Sequence, residues 1–237
     1  MKILGIDTST SFFSVCICDD NEILYELRSE RGFIKNSSAA NLFDTVQELF
    51  NNMEDGNIDA IALSIGPGMF TSLRVGLALA KGLYISKHIP ICGVNTLEVI
   101  AWSYLSLDFI KNEKGIICVP VMEAFQGELF VAFFSRKGKI GQDMVCNPEE
   151  LLNFINQKYK NKKMIIIGPG VKILKEYWLI KNVKKSLQII ESYLFYPSSS
   201  KVVYAALPKI KKGHFDDPEL LEPYYIKKTS AEMKRGK

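Results

Sequence analysis

The residues best placed for chemistry in this 237-residue chain gather around two turns. The first is Asp7-Thr8-Ser9-Thr10, directly after the apolar run 3–6. A carboxylate at a strand end with hydroxyls behind it can orient a divalent cation and a phosphate. No Gly stands in this turn to bring the backbone up to a phosphate. The other reading is an Asx or Ser/Thr turn in which these side chains satisfy their own backbone. The second turn is Gly66-Pro67-Gly68, at the head of residues 64–83, SIGPGMFTSLRVGLALAKGL. A phosphate cradle needs several inward N–H groups, and a P-loop adds Gly-Lys-Ser/Thr at the helix start. Here Pro67 removes a donor, Met69 and Phe70 are bulky, and the nearest cation, Arg74, lies a turn inside the helix. The stretch reads as a turn that launches a packing helix.

Other reactive side chains do not assemble into a site. His88 and His214 are isolated, with no HxxxH or HExxH spacing, so no metal site is expected. The five cysteines form no CxxC, which suits reduced thiols used as small apolar residues. Neither a Gly-x-Ser-x-Gly elbow nor a Ser/His/Asp order is present. Glu123 and Glu128 flank a second turn and read as solvated. No catalytic set is expected.

The elements that would position these turns follow from periodicity. Residues 2–6, 12–18 and 23–28 read as an antiparallel meander broken by DDNE at 19–22. Leu42, Val46, Leu49, Phe50 and Met53 follow helical spacing over 38–53, with Ser37 or Ser38 as cap. Strands are expected at 58–65 and 89–94, and helices at 71–86 and from Asn95 to about 105, where Asn95 and Glu98 suggest a capping box. The pattern then restarts with strands at 116–122 and 129–135 and a hairpin turn at RKGK. A helix over 147–159 opens on Asn147-Pro148-Glu149-Glu150, and the strand MIII runs into Gly168-Pro169-Gly170. LSIGPGM is thus echoed by IIIGPGV, after the same order of elements. This reads as a duplicated unit, although Gly-Pro-Gly suits any strand-to-helix turn.

The helix over 71–86 is apolar nearly all round, so most of its circumference must be covered. Gly76/Ala80 and Ala78/Gly82 place small residues four apart, which permits close approach of another backbone. The plainer reading packs the helix on its own sheet; the sharper one packs one flank on the sheet and the other on a partner protein.

Lys227, Lys228, Lys234, Arg235 and Lys237 face only Glu232 after residue 226, so the whole net charge of +4 lies there and the body is neutral. That excludes a broad basic nucleic-acid face. No run of about 18 apolar residues is present, and 3–6 is too short for a signal-peptide core; a cytoplasmic protein is expected.

ILGIDTSTSFFSVCI, SIGPGMFTSLRVGLALAKGL, IPICGVNTLEVIA and the later DPELLEPYYIKK resemble the TsaB (YeaZ) family, strongly over 2–105 and loosely beyond. The resemblance implies an α/β fold of two RNase H-like halves of the actin-like ATPase superfamily, here 1–108 and 109–237, the second carrying the basic tail. It implies a non-catalytic subunit that pairs with a TsaD-like catalytic subunit and a TsaE-like ATPase to place threonylcarbamoyl on tRNA adenosine. tRNA would be met only indirectly. No cofactor of its own is implied, with ATP or ADP at most at the complex interface. The family's pairing surface maps to 38–53 and 71–86, and it can form a homodimer when the partner is absent. The expected docking residues are Leu42, Val46, Leu49, Phe70, Leu73, Arg74, Gly76, Leu77, Ala80 and Tyr84; Asp7, Thr8 and Ser9 are the candidate nucleotide contacts. Met69 and Ser72 replace the usual Ser and Gly, Ser38 stands where His is common, and Glu123-Ala124-Phe125 stands for Asp-Ala-Arg, removing an anion contact. The rival is a self-sufficient ATPase or kinase of the same superfamily, which needs a Gly-bearing phosphate turn at 7–10. A metallopeptidase is disfavoured by the two lone histidines.

Overall fold

The computed structural model describes residues 1–20, 22–30, 38–53, 57–110, 113, 115–160, 162–178 and 187–226. It divides into two units, Met1–Val99 with Pro197–Pro223, and Ile100–Tyr196 with the residues after Pro223.

In the first unit β1 (Lys2–Asp7), β2 (Phe12–Asp19) and β3 (Glu22–Glu30) form the expected meander. Then follow α1 (Ser38–Asn51), β4 (Ala60–Gly66), α2 (Phe70–Lys87) and β5 (Ile91–Asn95). The sheet order is β3-β2-β1-β4-β5. β1 pairs antiparallel with β2, Ile3 opposite Cys18 and Ile6 opposite Val15, and parallel with β4, Ile3 opposite Ala60. The central strands are apolar almost without interruption because both faces are covered. On one face Phe13, Val15 and Ile17 of β2 pack with Leu42, Val46, Leu49, Leu77 and Ala80 of α1 and α2. On the other lies α6 (Ser199–Ile210), so close that a Cβ on Gly5 would meet the Ser199 carbonyl oxygen at 2.6 Å and Val203 at 2.7 Å.

α3 (Thr96–Leu105) carries the chain into the second unit. Its Asn95 cap accepts from Leu97 N–H at 2.8 Å and Glu98 N–H at 3.3 Å. The second unit holds β6 (Ile117–Glu123), β7 (Leu129–Val131), β8 (Phe134–Ser135), β9 (Gly138–Lys139), β10 (Met144–Cys146), α4 (Pro148–Lys158), β11 (Met164–Ile167), α5 (Val171–Trp178) and β12 (Leu187–Ile190). The order β10-β7-β6-β11-β12 repeats that of the first sheet, with β8 and β9 as a side hairpin on β6. α4 starts on the predicted Asn147 cap, which forms a capping box: Asn147 Oδ1 accepts from Glu150 N–H at 2.9 Å, and Glu150 Oε2 from Asn147 N–H at 3.0 Å.

Two expectations are corrected. The strand expected over 129–135 is split, because β7 pairs with β10 while β8 turns back on β9. The division into 1–108 and 109–237 also fails, since residues 100–108 belong to the second unit and 197–223 return to the first. The return has a physical cause: without α6, the face of the first sheet that carries Gly5, Ser14 and Cys16 would be bare. The basic tail and Ser37 lie outside the described residues.

Candidate functional site

The hairpin turn between β1 and β2 is sealed. Asp7, Thr8 and Ser9 are each 1% exposed. Oδ1 of Asp7 accepts three hydrogen bonds, from Ser64 Oγ at 2.6 Å, Ser9 Oγ at 2.8 Å and Ser9 N–H at 3.3 Å. Burial pushes this carboxyl above the usual carboxylate range, opposed by the bonds from Ser64 and Ser9. Thr10 Oγ1 accepts from Phe12 N–H at 3.2 Å, completing a Ser/Thr turn.

The Gly-Pro-Gly turn closes over this knot. Met69 N–H donates to the Ser9 carbonyl at 2.9 Å, and a Cβ on Gly68 would collide with that same oxygen. About two turns further, a Cβ on Gly76 would meet Thr8 Oγ1 at 2.6 Å. From below, Ser14 Oγ accepts from Ser199 N–H at 2.7 Å, while Glu26 accepts from Ser199 Oγ and Ser200 N–H, both at 3.0 Å. Lys201, beside them, is held down at about 8, by burial first and then by the nearby Arg28; Glu26 and Asp7 act the other way. Asp7, Thr8 and Ser9 are therefore corrected as candidate nucleotide contacts. The turn is packed by the chain's own serines and by the backbone around Gly68.

α2 has two different faces. Ser72, Leu73, Gly76, Leu77 and Ala80 are buried against the sheet. Phe70, Arg74, Ala78, Gly82 and Ile85, spaced four, four, four and three apart, face outward. The Arg74 guanidinium lies 3.9 Å from the centroid of Phe70, a cation–π stack that holds both groups over the first turn. Gly82 has nothing within 4 Å of an added Cβ, and Ile85 is 74% exposed. On α1, Leu42, Val46 and Leu49 are buried while Phe43 is 57% exposed.

The expected docking set is corrected on the same ground. Leu42, Val46, Leu49, Leu73, Gly76, Leu77 and Ala80 are buried in their own unit, and Tyr84 is half-buried against that core. Phe70 and Arg74 are on the outer face. The small pair that stays open is Ala78/Gly82; Gly76/Ala80 serves the chain's own sheet.

The remaining candidates have structural roles. His88 ends α2 in the left-handed region at φ 55°, its N–H donating to the Tyr84 carbonyl at 2.8 Å. All five cysteines are buried, and among the described residues no three His, Cys, Asp or Glu side chains gather as for a metal. Glu123 is exposed, and Phe125, where the resemblance expects Arg, is 81% exposed on its turn. No helix among the described residues is long and apolar enough to cross a membrane.

A family model described as tRNA N6-adenosine threonylcarbamoyltransferase, TsaD, matches residues 34–235. The tRNA threonylcarbamoyladenosine biosynthesis protein TsaB of Bacillus subtilis is 24% identical over 239 residues, covering 99% of this chain and 97% of that protein. TsaB of Buchnera aphidicola subsp. Acyrthosiphon pisum is 30% identical over 218 residues, covering 88% of this chain and 90% of that protein. The chain belongs to the TsaB family. Its fold agrees: YeaZ from Pseudomonas aeruginosa superposes with a TM-score of 0.72 at 20% identity, over 95% of this chain and 99% of that one. The Lmo2764 protein of Listeria monocytogenes, described as a candidate N-acetylmannosamine kinase, superposes with a TM-score of 0.55 at 11% identity, over 89% of this chain and 100% of that one. These likenesses establish the actin-like ATPase type of fold.

Sequence reasoning missed the α6 contribution to the sealed turn. The signal is there: Val202, Val203, Ala206, Leu207 and Ile210 follow helical spacing, and all are buried. Pro208 within the helix obscures it.

Proposed function

We propose that this chain is the pairing subunit of the machinery that forms N6-threonylcarbamoyladenosine on tRNA. It docks on a TsaD-like catalytic subunit and carries no chemistry of its own. The observation behind this reading is the contrast within one short stretch. The turn that would hold a phosphate is filled by Ser9, Ser64 and the backbone around Gly68, while the helix it launches keeps an outward stripe of Phe70, Arg74, Ala78, Gly82 and Ile85. Stacked aromatic–Arg pairs beside small residues suit the centre of a protein interface. The named relatives belong to the same tRNA-modification pathway. In this reading a TsaE-like ATPase joins the complex, tRNA is met through the partner, any ATP or ADP belongs to the assembled interface, and the protein works in the cytoplasm.

The test is calorimetric titration with the TsaD-like protein of the same organism. Ala78→Arg and Gly82→Arg add bulk to the open stripe without entering the core, and each is expected to weaken binding by at least ~5-fold, as overpacking of about 1–3 kcal/mol implies. Unchanged binding in both sinks the docking surface. The rival, an ATPase in its own right, predicts ATP turnover by the isolated chain with magnesium, lost in Asp7→Ala; the expected result is no turnover.

A further inference from the structure

The body of the chain is neutral in sum, yet its charges are not evenly spread. NQKYKNKKM at 156–164 places Lys158, Lys160, Lys162 and Lys163 within six residues, and RKGK at 136–139 is a second basic run. The fold brings the two runs to one end of the second sheet. β8 pairs antiparallel with β6, Phe134 opposite Cys118, so the turn carrying Arg136 and Lys137 lies beyond the start of β6. β11 pairs parallel with β6, Met164 opposite Ile117, and Ile117 N–H donates to the Lys163 carbonyl at 3.0 Å. Lys162 and Lys163 therefore lie at that same start. Tyr159 ties the end of α4 to this region, its ring stacked on Phe133 with centroids 5.3 Å apart.

Part of this charge has a local role. Lys158 stands in the last turn of α4, where a cation suits the helix C-terminus, and its ammonium lies 5.2 Å from the Phe154 ring centroid. Lys139 pairs with Asp143 at 2.7 Å, and Lys163 pairs with Glu113. Lys137, Lys160 and Lys162 are different: they are exposed and make no ion pair among the described residues. Like charges gathered in this way repel one another, and a bound polyanion relieves that repulsion.

We propose that this end of the second unit is a contact for the phosphate backbone of RNA. The inference rests on the reading above, in which the RNA is the tRNA held by the catalytic partner; the patch adds a second grip on the same molecule. A neutral body excludes a broad basic face, but a compact one suffices for a few phosphates. The donors suit backbone better than bases. Lysine ammoniums are point charges without the planar fork that reads a base edge. Tyr159 is half-buried, its ring engaged by Phe133 and Lys158, and so is not an open platform for a base. Contacts of this kind position a nucleic acid and read no sequence.

Fluorescence anisotropy of labelled tRNA titrated with the full chain, at about 50 to 200 mM salt, tests this. The expected Kd is roughly 1–100 µM at the low-salt end, weakening steeply as salt rises. A triple variant, Lys137→Gln with Lys160→Gln and Lys162→Gln, is expected to bind at least ~10-fold more weakly at low salt, with the salt slope reduced by about one per lysine. If the triple variant does not fold, Lys160→Gln alone, with the slope lowered by about one, carries the test. A second variant, with Lys227, Lys228, Lys234 and Lys237 each changed to Gln, separates the patch from the tail; the loss caused by the triple variant is expected with either tail. No binding at about 0.1 mM chain, a loss confined to the tail variant, or binding to phosphatidylglycerol vesicles that the triple variant loses while it keeps tRNA overturns the proposal. Calorimetric docking on the TsaD-like subunit is expected to be unchanged in the triple variant, so the docking surface and the RNA contact can fail separately.

Discussion

The chain uses Gly-Pro-Gly twice, and the two copies end differently. Each follows the parallel strand next to the first strand of its sheet, and each ties back toward that first strand. Met69 N–H donates to the Ser9 carbonyl at 2.9 Å; Gly170 N–H donates to the Val121 carbonyl at 3.0 Å. In the first unit the turn lies on the hairpin bend itself, so Asp7, Thr8 and Ser9 vanish from the surface. In the second, the turn reaches only strand β6, and the bend beyond it stays open with Phe125 81% exposed. The helices differ too. The first turn launches 18 residues with a sealed inner face and an open outer one; the second launches α5, of which eight are among the described residues. The same three residues thus serve as a lid in one unit and a plain connector in the other. What decides is the residue that meets the second glycine: a loop carbonyl in one case, a strand in the other.

The largest test of this comparison is Gly68→Val. Its side chain must displace the Ser9 backbone, which no rotamer change relieves. A loss of about 1–3 kcal/mol is expected from overpacking, measured by urea denaturation. A neutral result would mean that the first turn is not a lid. Next comes Asp7→Asn. The folded carboxyl sits above its ordinary range because of burial, so the folded state binds the proton more tightly than the unfolded chain. Asp7 therefore favours folding at low pH and loses that contribution as pH rises from the ordinary carboxylate range through its raised value. The variant should gain on the native chain across that rise in thermal melts, and a gap independent of pH would contradict the sealed turn. The smallest effect is Phe125→Ala, expected within about 0.5 kcal/mol because the ring is solvated; a larger loss would show that the second bend is also packed.

Much of this was legible in the residues. The meander, both Gly-Pro-Gly turns and the Asn147 helix cap follow from local rules that no distant contact overrode. The apolar stripe of α1 was legible too, since Leu42, Val46 and Leu49 share it, but its packing on the chain's own sheet in place of a partner was not. The faces of α2 were not. Leu73 and Leu77 alternate with Val75, Leu79 and Leu83 around the whole helix, so apolar periodicity selects no direction. The two small pairs are equivalent in spacing, and only the sheet distinguishes Gly76/Ala80 from Ala78/Gly82. The closing of the first sheet was hidden for another reason. Ser199 meets Ser14 across 185 residues, a distance over which local pattern carries no information.

That return of residues 197–223 sets the order in which the newborn chain can finish. β1 to β5 leave the ribosome well before α6, so their uncovered side waits until the second sheet between them has been translated. The second sheet, encoded in between, has all its strands available earlier. A stalled or clipped product lacking α6 would carry a raw apolar surface around Gly5 and Cys16, a natural target for chaperones and for degradation.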